Sequence, residues 1–348
     1  MRTQLLVATL VVAVAASGSA ADLTKGTPDI KSISAMTFGP NGLLFLGDSA
    51  GATIFAIDTG DTKPAGNKEL NIEKLETKIS DILGGGPARI TDMKVNPASG
   101  NVFISVARGT GAGVPALVKV TRDGTITPVL LKDIPFASVK IPNPATGGAK
   151  GPPAVITQMA FVDGKLFVAG LSSEQFASTL RVIPFPFKEA DKGTGIEIFH
   201  GAHGKLETHA PIRTFVPYKI GDEEHIMAAY TCTPLVKIPV RELKPGAKVK
   251  GITIAELGNR NNPLDMILYT KGGKDYILMA NSARGVMKIP TTDFAKAEPI
   301  TTRPSTETAG VKYETIKELT DVMQLDKLDD GHALILLKNG DLKTVPLP

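Results

Sequence analysis

Apolar runs four to eight residues long recur along the chain, separated by turns rich in Gly, Asp and Asn. No long stretch keeps the 3.6-residue spacing of an amphipathic helix. A self-similar opening recurs instead: "ISAMTF", "ITDMKV", "ITQMAF", "IRTFVP", "PLDMIL" and "DVMQLD". Each opening leads into a strand, a turn and two further apolar strands. Their anchor positions are Met36, Met93, Met159, Phe215, Met266 and Met323, at intervals of roughly sixty residues. Short strands repeated at a regular period predict radially arranged β-sheets.

The spacers carry a weaker fourth strand: "TITPVLL", "GIEIFHG", "GITIAEL" and "YETIKEL". Four antiparallel strands in each of six units predict an all-β, six-bladed β-propeller. The last unit runs to Pro348 with three strands, so residues 22–30, "DLTKGTPDI", are expected to supply its fourth and close the ring. The segment "IEKLETKISDIL" (72–83) fits either a short helix or the outer strand of the first blade.

The stretches "GPNGLLFLGDS", "NPASGNVFISVARG" and "VDGKLFVAG" place a Gly-containing turn before an apolar strand that ends in small or polar residues. In this the chain resembles six-bladed propellers with NHL-like or YWTD-like repeats. That superfamily includes gluconolactonase-type sugar lactonases, streptogramin lyases and many non-catalytic binding modules. The chain has no Trp, which sets it apart from Trp–Asp-signature propellers and from quinone-dependent dehydrogenases with Trp-bearing repeats.

The N-terminus changes the picture of compartment. Arg2 precedes an apolar run from Leu5 to Ala16, then small residues. This is the order of a secretory signal peptide cleaved near Ala20 or Ala21. The expected organisation is therefore residues 1–21 as signal and residues 22–348 as one propeller domain, secreted or periplasmic. The run is too short to span a bilayer, which takes about 20 apolar residues. Net charge is +4 and well mixed, so the chain has no basic block with which to grip nucleic acid. Cys232 is the single cysteine, so no intramolecular disulfide can brace the fold.

Propeller geometry turns these positions into a candidate site. Residues opening the inner strands, and the turns between second and third strands, meet on one face around the axis. Asp92, Gln158, Arg213, Asp265 and Asp321 are expected there as a first ring. Arg260, Asn261 and Asn262, close to Asp265, form the densest polar cluster near an anchor, and Asn281 and Arg284 of the same blade join it, so the candidate ligand-binding set is Asp92, Gln158, Asn261, Asp265, Asn281 and Arg284. No complete catalytic constellation is present. Asp92 and Asp265 have two readings. They hold a divalent cation such as Ca²⁺ through oxygen ligands, as the resemblance to propeller lactonases implies, or they bond backbone amides and basic side chains across blades. His200, His203 and His209, in "HGAHGKLETH", are further metal candidates. The recurring Met fits gap-filling between blades better than a soft-metal site. Cys232 fits a small buried residue, since a catalytic role needs a neighbouring base and His225 opens the strand towards the opposite face. Together these predict an exported propeller binding a small molecule or a protein through its axial face. The alternative is a metal-dependent hydrolase or lyase.

Overall fold

The computed structural model describes residues 22–147, 154–232 and 234–348; the expected signal segment, 1–21, lies outside them. Among the described residues six sheets form, antiparallel except where the short strand Lys248–Lys250 runs parallel beside Thr194–His200. Their inner strands are Ala35–Phe38, Ala88–Val95, Gln158–Val162, Ile212–Ile220, Pro263–Lys271 and Val322–Lys327, in chain order blades one to six. The expected fourth strands are present as Ile126–Val129, Thr194–His200, Ile252–Leu257 and Glu314–Ile316. The molecule is a six-bladed β-propeller.

Among the described residues six apolar clusters hold it together, and each lies between two neighbouring blades. Met36 and Leu44 of blade one meet Phe103 and Leu117 of blade two. On its other side, Phe45 of blade one meets Val168 of blade three. Further clusters join blades three and four, four and five, five and six, and six and two. The order around the ring is therefore one, three, four, five, six, two. The chain leaves blade one, crosses to blade six and builds blade two, then returns before continuing with blade three.

Two strands fix this excursion. Asn71–Ile72 pairs with Leu342–Pro346 and is the fourth strand of blade six. Ile134–Lys140 comes back from blade two to pair with Thr53–Asp58 as the fourth strand of blade one. This corrects the expected closure. Residues Thr24–Gly26 do form a strand, but it caps the outer edge of blade one against Ile134–Lys140. Segment 72–83 is mostly the helix Leu75–Ile82. Its Leu75 and Ile79, one turn apart on the same side, are buried against the interface of blades two and six.

The inner strands carry a shared irregularity. In blades two, four, five and six a bulge interrupts the pairing just before the anchor, leaving Thr91, Arg213, Leu264 and Met323 unpaired. A bulge re-aims one side chain without disturbing the strand beyond it. In blade six it also moves the anchor. Gln324 pairs opposite Leu336, in register with Asp92, so the buried anchor is Leu325; Met323 is 41% exposed. Asp321, two residues earlier still, is exposed rather than part of the axial ring.

Candidate functional site

Each inner strand is the axial edge of its sheet, so half of its backbone N–H and C=O groups face the channel without a strand partner. Buried backbone groups need partners. Carboxylates from adjacent blades accept these N–H groups. Met36 N–H of blade one donates to Asp92 Oδ2 of blade two at 2.5 Å. Val95 N–H of blade two donates to Asp326 Oδ2 of blade six at 2.7 Å. Leu325 N–H of blade six donates to Asp265 Oδ2 of blade five at 3.4 Å. The second oxygen of each carboxylate takes the next residue's own N–H: Met93, Lys327 and Met266, at 2.8, 3.0 and 2.9 Å. Gln158 has the same place in blade three, accepting from Met159 N–H at 3.0 Å and donating to Thr214 Oγ1 of blade four at 3.3 Å.

The Lys94 side chain enters this ring of carboxylates. Its Nζ lies 3.6 Å from Asp265 Oδ2 and 4.0 Å from Asp92 Oδ1. Burial alone would discharge it, but the carboxylates of Asp265, Asp92 and Asp326 outweigh that and hold the ammonium well above its ordinary value. One cation does not neutralise three carboxylates. Burial pushes the Asp265 carboxyl up to about 7 against the pull of Lys94, and the charges of Asp92 and Asp326 add to the rise. Asp92 and Asp326 are raised as well, with burial the leading cause in both. Burial thus makes all three carboxyls harder to ionise than exposed ones, against the opposing pull of Lys94.

Above the ring opens a cavity of about 760 Å³ to which all six blades contribute. Its lining includes the predicted Asp92, Gln158, Arg213 and Asp265, together with Arg89 and Gln324, which the repeat pattern did not single out. Three of the four bulged residues, Thr91, Arg213 and Leu264, line it. Ser32 and Ser34 and the apolar Ile33, Val106 and Ile156 complete a mixed surface. Among the described residues, neither the Arg89 nor the Arg213 side chain has an ion-pair or hydrogen-bond partner, and both residues are exposed.

Asn261, Asn281 and Arg284 lie outside this lining and form a network of their own. Asn261 Nδ2 donates to Asn281 Oδ1 at 2.9 Å, and Asn261 Oδ1 accepts Ala283 N–H at 3.0 Å. Asn281 Nδ2 in turn meets Met279 O and Gly285 O at 3.1 and 3.3 Å. Arg284 pairs with Glu307 at 2.7 Å. These bonds staple the loop entering blade five to the turn between its second and third strands. His200 and His203 come together at the end of the fourth strand of blade three, whereas His209 is exposed and bonds Thr208 Oγ1 at 3.0 Å.

No family model matches the chain, and no curated protein matches its sequence. Solved structures with a similar course of the chain include the extracellular domains 1–2 of Drosophila Semaphorin 1b. That protein is 10% identical, the match covering 92% of this chain and 88% of that one, with a TM-score of 0.42. Virginiamycin B lyase of Staphylococcus aureus is 9% identical over 94% and 99% of the two chains, with a TM-score of 0.39. A putative oxidoreductase (glucose dehydrogenase) of Thermus thermophilus is 11% identical over 93% and 99%, with a TM-score of 0.35.

Proposed function

We propose that residues 22–348 act as an exported binding module whose axial cavity takes a small anionic ligand. The observation that carries this reading is the pair of unpartnered arginines, Arg89 and Arg213, on the wall of a cavity fed by all six blades. A guanidinium offers a fork of N–H donors matched to a carboxylate or phosphate. The cavity's volume falls within the usual range for small-molecule sites, about 300–1,000 Å³. The anionic group pairs with the arginines. Hydroxyls and amides of Ser32, Ser34, Thr91, Gln158 and Gln324 take the polar remainder, and Ile33, Val106 and Ile156 take its apolar part. Export rests on the signal-like order of residues 1–21; among the described residues no helix is long and apolar enough to cross a membrane.

What weighs against a divalent cation between Asp92 and Asp265 is Lys94. Its ammonium supplies positive charge to both carboxylates, and their oxygens already accept backbone N–H groups. This donor set does not fit an ion held at that point.

The test is calorimetric titration of the purified chain with organic acids, phosphate esters and their neutral amide or alcohol analogues. An acid is expected to bind while its neutral analogue does not. Arg89→Ala combined with Arg213→Ala should weaken the acid at least tenfold, since a hydrogen bond to a charged group contributes about 1.5–3 kcal/mol. Equal binding by the double variant would sink the proposal. Turnover of a lactone or ester that survives the double substitution would place the function elsewhere.

A further inference from the structure

We propose that His200, His203 and Cys232 form a binding site for a thiophilic divalent transition metal, Zn²⁺ foremost, on the rim between blades three and four. The site is separate from the axial cavity and does not depend on its reading. A ring nitrogen of His200, a ring nitrogen of His203 and Cys232 Sγ all lie within 4.8 Å of one another. The two imidazoles lie against each other, ring centres 3.9 Å apart and planes tilted by 35°.

The arrangement around the histidines is that of orientated ligands. Glu207 presents one carboxylate oxygen to each ring: Oε2 to His200 Nδ1 at 2.7 Å and Oε1 to His203 Nδ1 at 2.6 Å. An ionised carboxylate only accepts, so both Nδ1 atoms carry a proton, and in the neutral ring, the form that binds a metal, the lone pair is on Nε2. A carboxylate behind the imidazole that fixes its tautomer is the usual support of a metal-binding histidine. His200 is 1% exposed, and its Nε2 is buried with no hydrogen-bond partner among the described residues. A buried ring nitrogen without a partner costs free energy unless something else uses the lone pair.

Cys232 comes from the other blade. It occupies the turn between Glu223–Tyr230 and Pro234–Pro239 with φ of +62°, a conformation few non-glycine residues adopt. Its N–H donates to Asn261 O at 2.8 Å. The polar staple of blade five therefore holds this turn in place. Two imidazoles and a thiolate are a borderline-to-soft donor set that suits Zn²⁺ and disfavours Ca²⁺ or Mg²⁺. Ligand atoms around tetrahedral zinc stand about 3.3–3.8 Å apart, given bonds of about 2.0–2.3 Å. A small closure of the turn is enough. On binding, the Cys232 S–H bond breaks and its proton goes to solvent, while each imidazole binds neutral and keeps its Nδ1–H on Glu207. Three protein ligands leave the fourth position open to water or a small ligand.

The chain has one cysteine, which makes the test direct. The full chain, reduced and freed of chelator, is titrated with Co²⁺ and then Zn²⁺. One equivalent of Co²⁺ is expected, with a thiolate-to-cobalt band in the near ultraviolet that Zn²⁺ removes. Zn²⁺ should also protect Cys232 from alkylation. Cys232→Ser and His203→Ala, both at partly exposed side chains, should lose the band and the stoichiometric binding. Glu207→Gln should weaken binding about 10–100-fold; it supplies the graded readout if either of the others fails to fold. His209→Ala should bind as the parent does. The proposal is overturned if the parent takes up neither metal, or if Cys232→Ser and His203→Ala bind as it does.

Discussion

Lys94 shows how much of the axial chemistry turns on one side chain. An acid whose folded pKa lies above its unfolded value holds its proton more tightly in the folded chain. Its contribution is then greatest below the unfolded value and falls as pH rises through the folded one. For Asp265 that window runs from 3.8 to about 7. Burial likewise pushes the Glu256 carboxyl up to about 7, adding to the same trend. Thermal stability is therefore expected to fall between about pH 5 and pH 8, read by calorimetric melts across that range. Asp265→Asn should change little at the acid end and flatten the decline. Lys94→Met leaves three carboxyls without their cation and should cost about 3–5 kcal/mol, more at pH 8 than at pH 5. A flat profile in the parent would contradict the raised carboxyls. At this scale the sequence was half legible. Asp92 and Asp265 stood out because each precedes an anchor Met. Lys94 and Asp326 did not, because they come after an anchor, where alternation suggests an ordinary polar position.

The strand was the scale at which pattern and structure diverged, for a definite reason. A bulge inserts one unpaired residue, and period-two reading has no means of detecting it. In blade six the visible Met fell on the bulge and the true anchor, Leu325, two residues on, looked like any other Leu. A pair of substitutions separates the two registers. Met323→Lys at the exposed bulge should stay within about 0.5 kcal/mol of the parent. Leu325→Ala, in the cluster between blades five and six, should cost about 2–5 kcal/mol by chemical denaturation. The reverse ranking would restore Met323 as the anchor. The same bulges carry Thr91, Arg213 and Leu264 to the cavity wall, so the irregularity that misled the register also helps build the site. Arg89 was invisible for a different reason: it lies in "ARI", where nothing distinguishes it from a solvated surface arginine.

For the whole molecule, blade number and strand content were readable from repetition, but ring order was not. A repeat shows that units exist; it does not say which unit sits beside which. The deciding contacts are long-range. Leu70 N–H donates to Thr344 Oγ1 at 2.8 Å, and Thr344 N–H donates to Leu70 O at 2.8 Å. Thr344→Val should remove the first of these and cost about 1–3 kcal/mol. Ile72→Asp places a carboxylate in the cluster between blades six and two and releases the closing strand, baring the edge of blade six. The expected result is self-association at raised protein concentration, measured by light scattering. A monodisperse variant with parental stability would show that Asn71–Ile72 does not close the ring.

The crossing between blades one, two and six also sets a clock. Leu70 and Thr344 are 274 residues apart. At the usual pace of synthesis, about 5–20 residues per second, the closing strand waits on the order of tens of seconds for its partner to be made. Blade two is left that long without one of its two neighbours. The ring is thus assembled only once blade six has been made, and before then the chain is a row of unfinished sheets that this blade alone can draw into a circle.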